Sequence, residues 1–117
     1  MNIHHFEKGI SYNPEEMLVM AKKIGRLARY CTAVKDEASV IRLESERRDT
    51  KKDRDQVKVM ITVELPRSVL RAESRRPRLL DAVDRCIEKL EPQIKRYKEM
   101  HTGKGRSRVI MRRGMGR

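Results

Sequence analysis

Apolar residues recur along this chain at two periods, and each change of period marks an element boundary. From Val57 to Leu65 the residues Val57, Val59, Ile61, Val63 and Leu65 fall at every second position, the pattern of a strand with one buried face. Residues 39–47 alternate in the same way around Ile41 and Leu43, and Val69 to Glu73 predicts a further short strand after a turn at Pro66 and Arg67. Ile3, His5 and Ile10 predict a first strand within residues 1–10. Arg48 to Gln56 has no apolar content and reads as a polar hairpin connection.

Two longer stretches switch to the helical period of about 100° per residue. The first opens at Asn13-Pro14-Glu15-Glu16. There Asn13 can cap, Pro14 suits the first helical position and Glu16 can complete a capping box. This helix is expected to reach Tyr30 or Cys31, with Met17, Met20, Ala21, Ile24, Leu27, Ala28 and Cys31 on one face. The second follows Pro77 and can extend to about His101, with Leu80, Val83, Ile87, Leu90, Ile94 and Tyr97 on one face. Pro92 interrupts that pattern and is expected to remove a hydrogen bond and kink the helix. The order is β-α-β-β-β-α. It predicts an α+β fold: a four-stranded, mostly antiparallel sheet with two helices packed on one face.

Charge changes the picture, because it is sorted. On the first helix Lys22, Arg26 and Arg29 fall opposite the apolar face, with Lys23 beside them. On the second, Arg78, Arg85, Lys89 and Arg96 form a narrow stripe, while Asp84, Glu88, Glu91 and Glu99 gather on another flank. The whole chain carries 29 Lys plus Arg against 17 Asp plus Glu, a formal net charge of +12 in 117 residues. A field of that size attracts phosphate backbones or anionic lipid. Charged helix faces are more often merely solvated, and Glu15 and Glu16 ahead of the later bases also suit the helix dipole. Two matching stripes favour a polyanion surface.

Other classes recede on composition. No apolar run approaches the roughly 20 residues of a membrane span, no signal-peptide pattern opens the chain, and no membrane partner is expected. Cys31 and Cys86, far apart on or beside apolar faces, read as reduced buried thiols of a cytoplasmic protein. Adjacent His4 and His5 point to opposite faces of a strand, so no metal site is expected. Met17, Met20 and Met60 read as packing residues. Gly103-Lys104-Gly105 lacks the strand and helix that a phosphate loop needs. No catalytic set, cofactor or small-molecule substrate is indicated, and the chain does not read as an enzyme. With one Phe, three Tyr and no Trp, a base-stacking platform is poorly supported. Phosphate recognition by Arg and Lys fits better.

Three motifs, in order, resemble the ribosome hibernation-promoting factor and ribosome-associated inhibitor family, also called the sigma-54 modulation protein family. They are Lys22-Lys23-Ile24-Gly25-Arg26-Leu27-Ala28-Arg29-Tyr30-Cys31; Leu65-Pro66 with Val69-Leu70-Arg71-Ala72-Glu73; and Asp81-Ala82-Val83-Asp84 followed by Ile87-Glu88-Lys89-Leu90-Glu91, Gln93-Ile94 and Lys95-Arg96-Tyr97-Lys98. The resemblance covers about residues 1–100 and implies the same β-α-β-β-β-α fold. It implies binding to the small ribosomal subunit between head and body, over the decoding-centre sites for messenger and transfer RNA, silencing and preserving idle ribosomes. Stress response and stationary phase are the expected settings, and the free protein is expected to be monomeric. Lys23, Arg26, Arg29, Lys89 and Arg96 match the family's RNA-facing pattern. Pro92 stands where many members carry a base, and Arg78 and Leu80 replace an acid and a tyrosine. The long form's C-terminal dimerisation domain has no counterpart here, which predicts the short form.

The expected organisation is a ribosome-binding domain over residues 1–102 and a basic, Gly/Arg-rich, disordered tail over 103–117. Within the tail Lys104, Arg106, Arg108, Arg112, Arg113 and Arg117 are candidate RNA contacts. Two other readings stay open: a general structured-RNA-binding or ribosome-assembly module, and a protein-interaction regulator of transcription.

Overall fold

The computed structural model describes residues 1–47 and 56–101. The strands are β1 (Asn2–Lys8), β2 (Val40–Arg47), β3 (Val57–Leu65) and β4 (Ser68–Arg76). The helices are α1 (Pro14–Gly25), α2 (Thr32–Lys35) and α3 (Leu79–His101), with a 3-10 turn over Arg26–Arg29 after α1. The sheet order is β1-β2-β3-β4. β1 runs parallel to β2, and the other two pairs are antiparallel. The parallel pair requires a crossover, and α1, the 3-10 turn and α2 supply it. The β2–β3 connection and the tail lie largely outside the described residues.

Pairing register turns the alternation into two distinct faces. Ile41, Leu43, Val57, Val59, Ile61 and Val63 are at most 1% exposed and look towards the helices. Met20, Ile24 and Leu27 cover them from one side, and Val83, Leu90 and Ile94 from the other, all fully buried. Each such Leu, Ile or Val contributes about 1.5–3 kcal/mol of burial. The opposite face is polar and charge-balanced: Lys8 meets Glu46 at 3.5 Å, Arg42 meets Glu64 at 2.7 Å and Lys58 meets Glu73 at 3.7 Å.

Local chemistry sets the boundaries. The Asn13 side chain accepts from the Glu16 backbone N–H at 2.7 Å, and the Glu16 carboxylate accepts from the Asn13 N–H at 3.1 Å, so the capping box forms. Pro66 and Arg67 close the β3–β4 hairpin, with Arg67 at φ 65°, the positive φ a type II turn demands at its third residue. The Tyr97 hydroxyl donates to the Pro66 carbonyl at 3.1 Å and ties this turn to α3. Ser74, buried under α3, donates to the Ala82 carbonyl at 2.6 Å.

Two expectations need correction. The first helix does not run on as one α-helix to Tyr30 or Cys31. It tightens at Arg26 and restarts as the unforeseen α2, turning Cys31 and Val34 into the core. Met17 is 43% exposed and Ala21 is also exposed. α3 packs against the flank of α1 that carries Lys23, so the Met17 and Ala21 flank has no helix beside it. α3 spans Leu79–His101 with Pro92 inside it, the extent expected. His4 is exposed while His5 turns inward, edge-on to the Tyr12 ring at 5.5 Å between centroids.

Candidate nucleic-acid interface

At 100° per residue, Arg78, Arg85, Lys89 and Arg96 fall within about 40° of one another around the α3 axis. All four are exposed. This column runs beside β4: Lys89 Nζ donates to the Glu73 carbonyl at 2.7 Å, and Gln93 Nε2 to the Arg71 carbonyl at 3.0 Å. Both acceptors lie on the free edge of β4, so the two side chains also satisfy an edge strand. Arg85 pairs with Glu88 at 3.1 Å one turn along the helix. Among the described residues, Arg78, Lys89 and Arg96 have no carboxylate partner.

On α1 and its 3-10 extension, Lys22, Arg26 and Arg29 are exposed and likewise lack a carboxylate partner among the described residues. The 3-10 turn brings Arg26 beside Tyr30 at the groove between α1 and α3. Lys23 is different. Its side chain is 16% exposed and its ammonium lies 2.6 Å from Asp84, so it ties α1 to α3 and presents no free charge outward.

The acidic flank of α3 is the seam against α1. Beyond the Lys23–Asp84 pair, the Tyr30 hydroxyl donates to Glu91 at 2.9 Å and Lys95 donates to the other Glu91 oxygen at 2.9 Å. The Lys95 ammonium also sits 5.0 Å from the Tyr30 ring centroid, a cation–π contact. Lys95, then Tyr30, holds the Glu91 carboxyl below the ordinary glutamate value. The Glu91 hydrogen bonds raise both Tyr30 and Lys95. The seam leaves an open groove of about 310 Å³ whose lining includes Lys23, Arg26, Tyr30, Asp84, Glu88 and Glu91.

Apart from Lys23, the expected cations among the described residues fall into two sets, one on α1 and its 3-10 extension and one along α3, and the acids of the seam are each paired: Asp84 with Lys23, Glu88 with Arg85 and Glu91 with Lys95. Lys22, Arg26 and Arg29 lie on one side; Arg78, Arg85, Lys89 and Arg96 lie on the other. Arg71, Arg75 and Arg76, exposed on or at the end of β4, stand outside the expected set. The run Arg75-Arg76-Pro77-Arg78 was the visible signal for Arg75 and Arg76. Lys104, Arg106, Arg108, Arg112, Arg113 and Arg117 lie outside the described residues. No group of three or more His, Cys, Asp or Glu is placed to hold a metal ion among the described residues, and no described helix is long and apolar enough to cross a membrane.

Residues 9–102 match the family model described as sigma 54 modulation protein / S30EA ribosomal protein. Among solved structures, the chain is similar to the N-terminal domain of Protein Y from Thermus thermophilus. The identity is 26% and the TM-score 0.68, over 83% of this chain and 99% of that one. It is also similar to a ribosomal subunit interface protein from Coxiella burnetii, at 26% identity and a TM-score of 0.67, over 84% of this chain and 98% of that one. No curated protein matches the chain.

Proposed function

The chain belongs to the sigma 54 modulation protein / S30EA ribosomal protein family, and from that premise we propose that it is a ribosome hibernation factor. In this reading it binds ribosomal RNA of the small subunit at the decoding-centre sites for messenger and transfer RNA. The body of the domain excludes both ligands sterically, so translation stops while the idle ribosome is preserved. The supporting observation is the set of exposed cations without a carboxylate partner among the described residues: Lys22 on α1, Arg26 and Arg29 on the 3-10 turn, Arg78 at the entry to α3, and Lys89 and Arg96 on α3. Guanidinium and ammonium groups of this kind hold phosphate and position a protein on folded RNA without reading bases. The basic tail, with six Lys or Arg and no acid over residues 104–117, adds contacts of the same chemistry. The solved relative from Coxiella burnetii, described as a ribosomal subunit interface protein, agrees with this partner.

A competition assay tests the reading. Purified small subunits carrying messenger and transfer RNA are titrated with the protein. Mutually exclusive binding at one protein per subunit is expected, with a fall in cell-free translation and no cleavage of RNA or nucleotide. Simultaneous binding, or equal affinity for unrelated structured RNAs, would favour a general RNA-binding module instead. A partner that survives nuclease treatment would favour a protein-interaction regulator.

A further inference from the structure

The open face of the sheet, turned away from α1 and α3, carries one row of side chains that its ion pairs leave out. Register places Phe6 of β1 against Glu44 of β2, and Glu44 against Met60 of β3. Phe6 is 49% exposed, Glu44 and Met60 are half-buried, and all three line an open groove of about 250 Å³. The cations around Glu44 are engaged elsewhere: Lys8 with Glu46, Arg42 with Glu64 and Lys58 with Glu73. Glu44 itself has no hydrogen-bond or ion-pair partner among the described residues. A half-buried carboxylate between an aromatic ring and a thioether is poorly hydrated and favours a bound cation. A guanidinium suits it best, since it can pair with the carboxylate and stack on the Phe6 ring.

The chain itself holds a segment of that chemistry. Arg108-Val109-Ile110-Met111-Arg112 sets three apolar residues between two arginines. α3 ends at His101, and the Tyr97 bond to the Pro66 carbonyl fixes that end beside the β3–β4 turn. From Leu65 back to Met60 along β3 is about 17 Å, and β2 lies about 4.8 Å further across the sheet. The segment from His101 to Met111 spans up to about 33–36 Å when extended, enough to round the sheet and reach Glu44. Two exposed apolar side chains lie on that route: Met100 in the last turn of α3, 66% exposed, and Val69 at the start of β4, 59% exposed. Val69 stands opposite Glu64, on the same open face as the groove. One ion pair and a few apolar contacts make a weak site. A tether raises the effective concentration to the order of millimolar, whereas two separate copies at +12 each repel. The weak site is therefore matched to the tethered segment.

We propose that residues 108–112 dock in the Phe6–Glu44–Met60 groove of the free protein. One arginine pairs with Glu44, and the apolar residues cover Phe6 and Met60. The cations of the tail are thereby held on the far side of the sheet from those of α1 and α3. This docking is a property of the free chain and stands apart from the ribosomal reading.

Paramagnetic relaxation measured by NMR on the full chain tests this. Cys31 and Cys86 are buried, so a nitroxide attached through Ser107→Cys marks the tail alone. The backbone amides of Phe6, Glu44 and Met60 should broaden selectively. They should recover in the same labelled chain carrying Phe6→Ala/Glu44→Gln, with circular dichroism checking the fold. The broadening should also persist when the labelled chain is diluted into an excess of isotopically silent, nitroxide-free protein. Four results overturn the proposal: no selective broadening, broadening centred on α1 or α3, equal broadening in the double variant, or its loss on dilution. The last would assign the groove to a second copy. If the double variant does not fold, Glu44→Gln alone is read by the same criteria.

Discussion

Lys23 of α1 and Asp84 of α3, 61 residues apart in the chain, meet at 2.6 Å across the seam between the two helices. The pairing gives Lys23 a structural duty. Replacing Lys23 by Met should lower stability by about 1 kcal/mol, the upper range for a partly exposed pair, while leaving the salt slope of ribosome binding unchanged. Thermal melting and a double-mutant cycle with Asp84→Asn measure the first, and sedimentation across a salt series measures the second. A slope that drops by one would return Lys23 to the RNA-facing set.

Lys89→Ala with Arg96→Ala should behave in the opposite way. Both side chains are exposed, and the Glu73 carbonyl that Lys89 leaves is open to water at a sheet edge. The melting temperature should stay near that of the parent, while small-subunit affinity falls and the salt slope drops by about two. A folded double variant that co-sediments like the parent would remove α3 from the interface.

Much of this arrangement was legible in the residues, because its causes are local. The period-two run from Val57 to Leu65 sits in β3, and the Asn13 and Glu16 capping box starts α1 where their spacing required. The α3 stripe was legible too, since 100° geometry alone brings Arg85, Lys89 and Arg96 together. Features set by distant partners were not legible. Asp84, on another helix, takes up Lys23, and nothing near Lys23 announces it. Met17 is exposed because α3 packs on the opposite flank of α1, which the α1 pattern does not encode. The tightening at Arg26 is equally hidden: Leu27, Cys31 and Val34 all reach the core only because the helix changes pitch and restarts.

Stability should depend on pH through the Tyr30–Glu91–Lys95 cluster. Folding depresses Glu91, first through Lys95 and then through Tyr30, so its contribution is present above the ordinary glutamate pKa of about 4.3 and is lost as pH falls through the depressed value. Folding raises Tyr30 and Lys95, so their contributions are complete below the ordinary values of about 10 and 10.4. They vanish as pH rises through the raised ones. Glu91→Gln should therefore lower the melting temperature by a constant amount at neutral pH, with the gap to the parent closing below about pH 4. A gap that persists at pH 2 would assign the effect to packing.

Cys86 should resist thiol reagents in the folded protein. It is fully buried, and burial, partly offset by Ser74, pushes its thiol up, which suppresses the reactive thiolate. Alkylation at pH 8 read by peptide mass spectrometry should label it only as fast as the protein opens, and fully in denaturant. Rapid native labelling would contradict the packing of α3 on β3 and β4.

Binding through two sets of unpaired cations makes one quantity decisive: the affinity for purified small ribosomal subunits as salt is raised. Each phosphate contact releases condensed counterions, so log affinity should fall linearly against log salt with a slope near −0.7 to −0.9 per contact. Six or more contacts would cost about a thousandfold between 50 and 200 mM. That steep line, for the full chain on intact subunits, is the result expected here. A flat line would mean that Lys22, Arg26, Arg29, Arg78, Lys89 and Arg96 do not hold RNA, and would contradict the mechanism at its base.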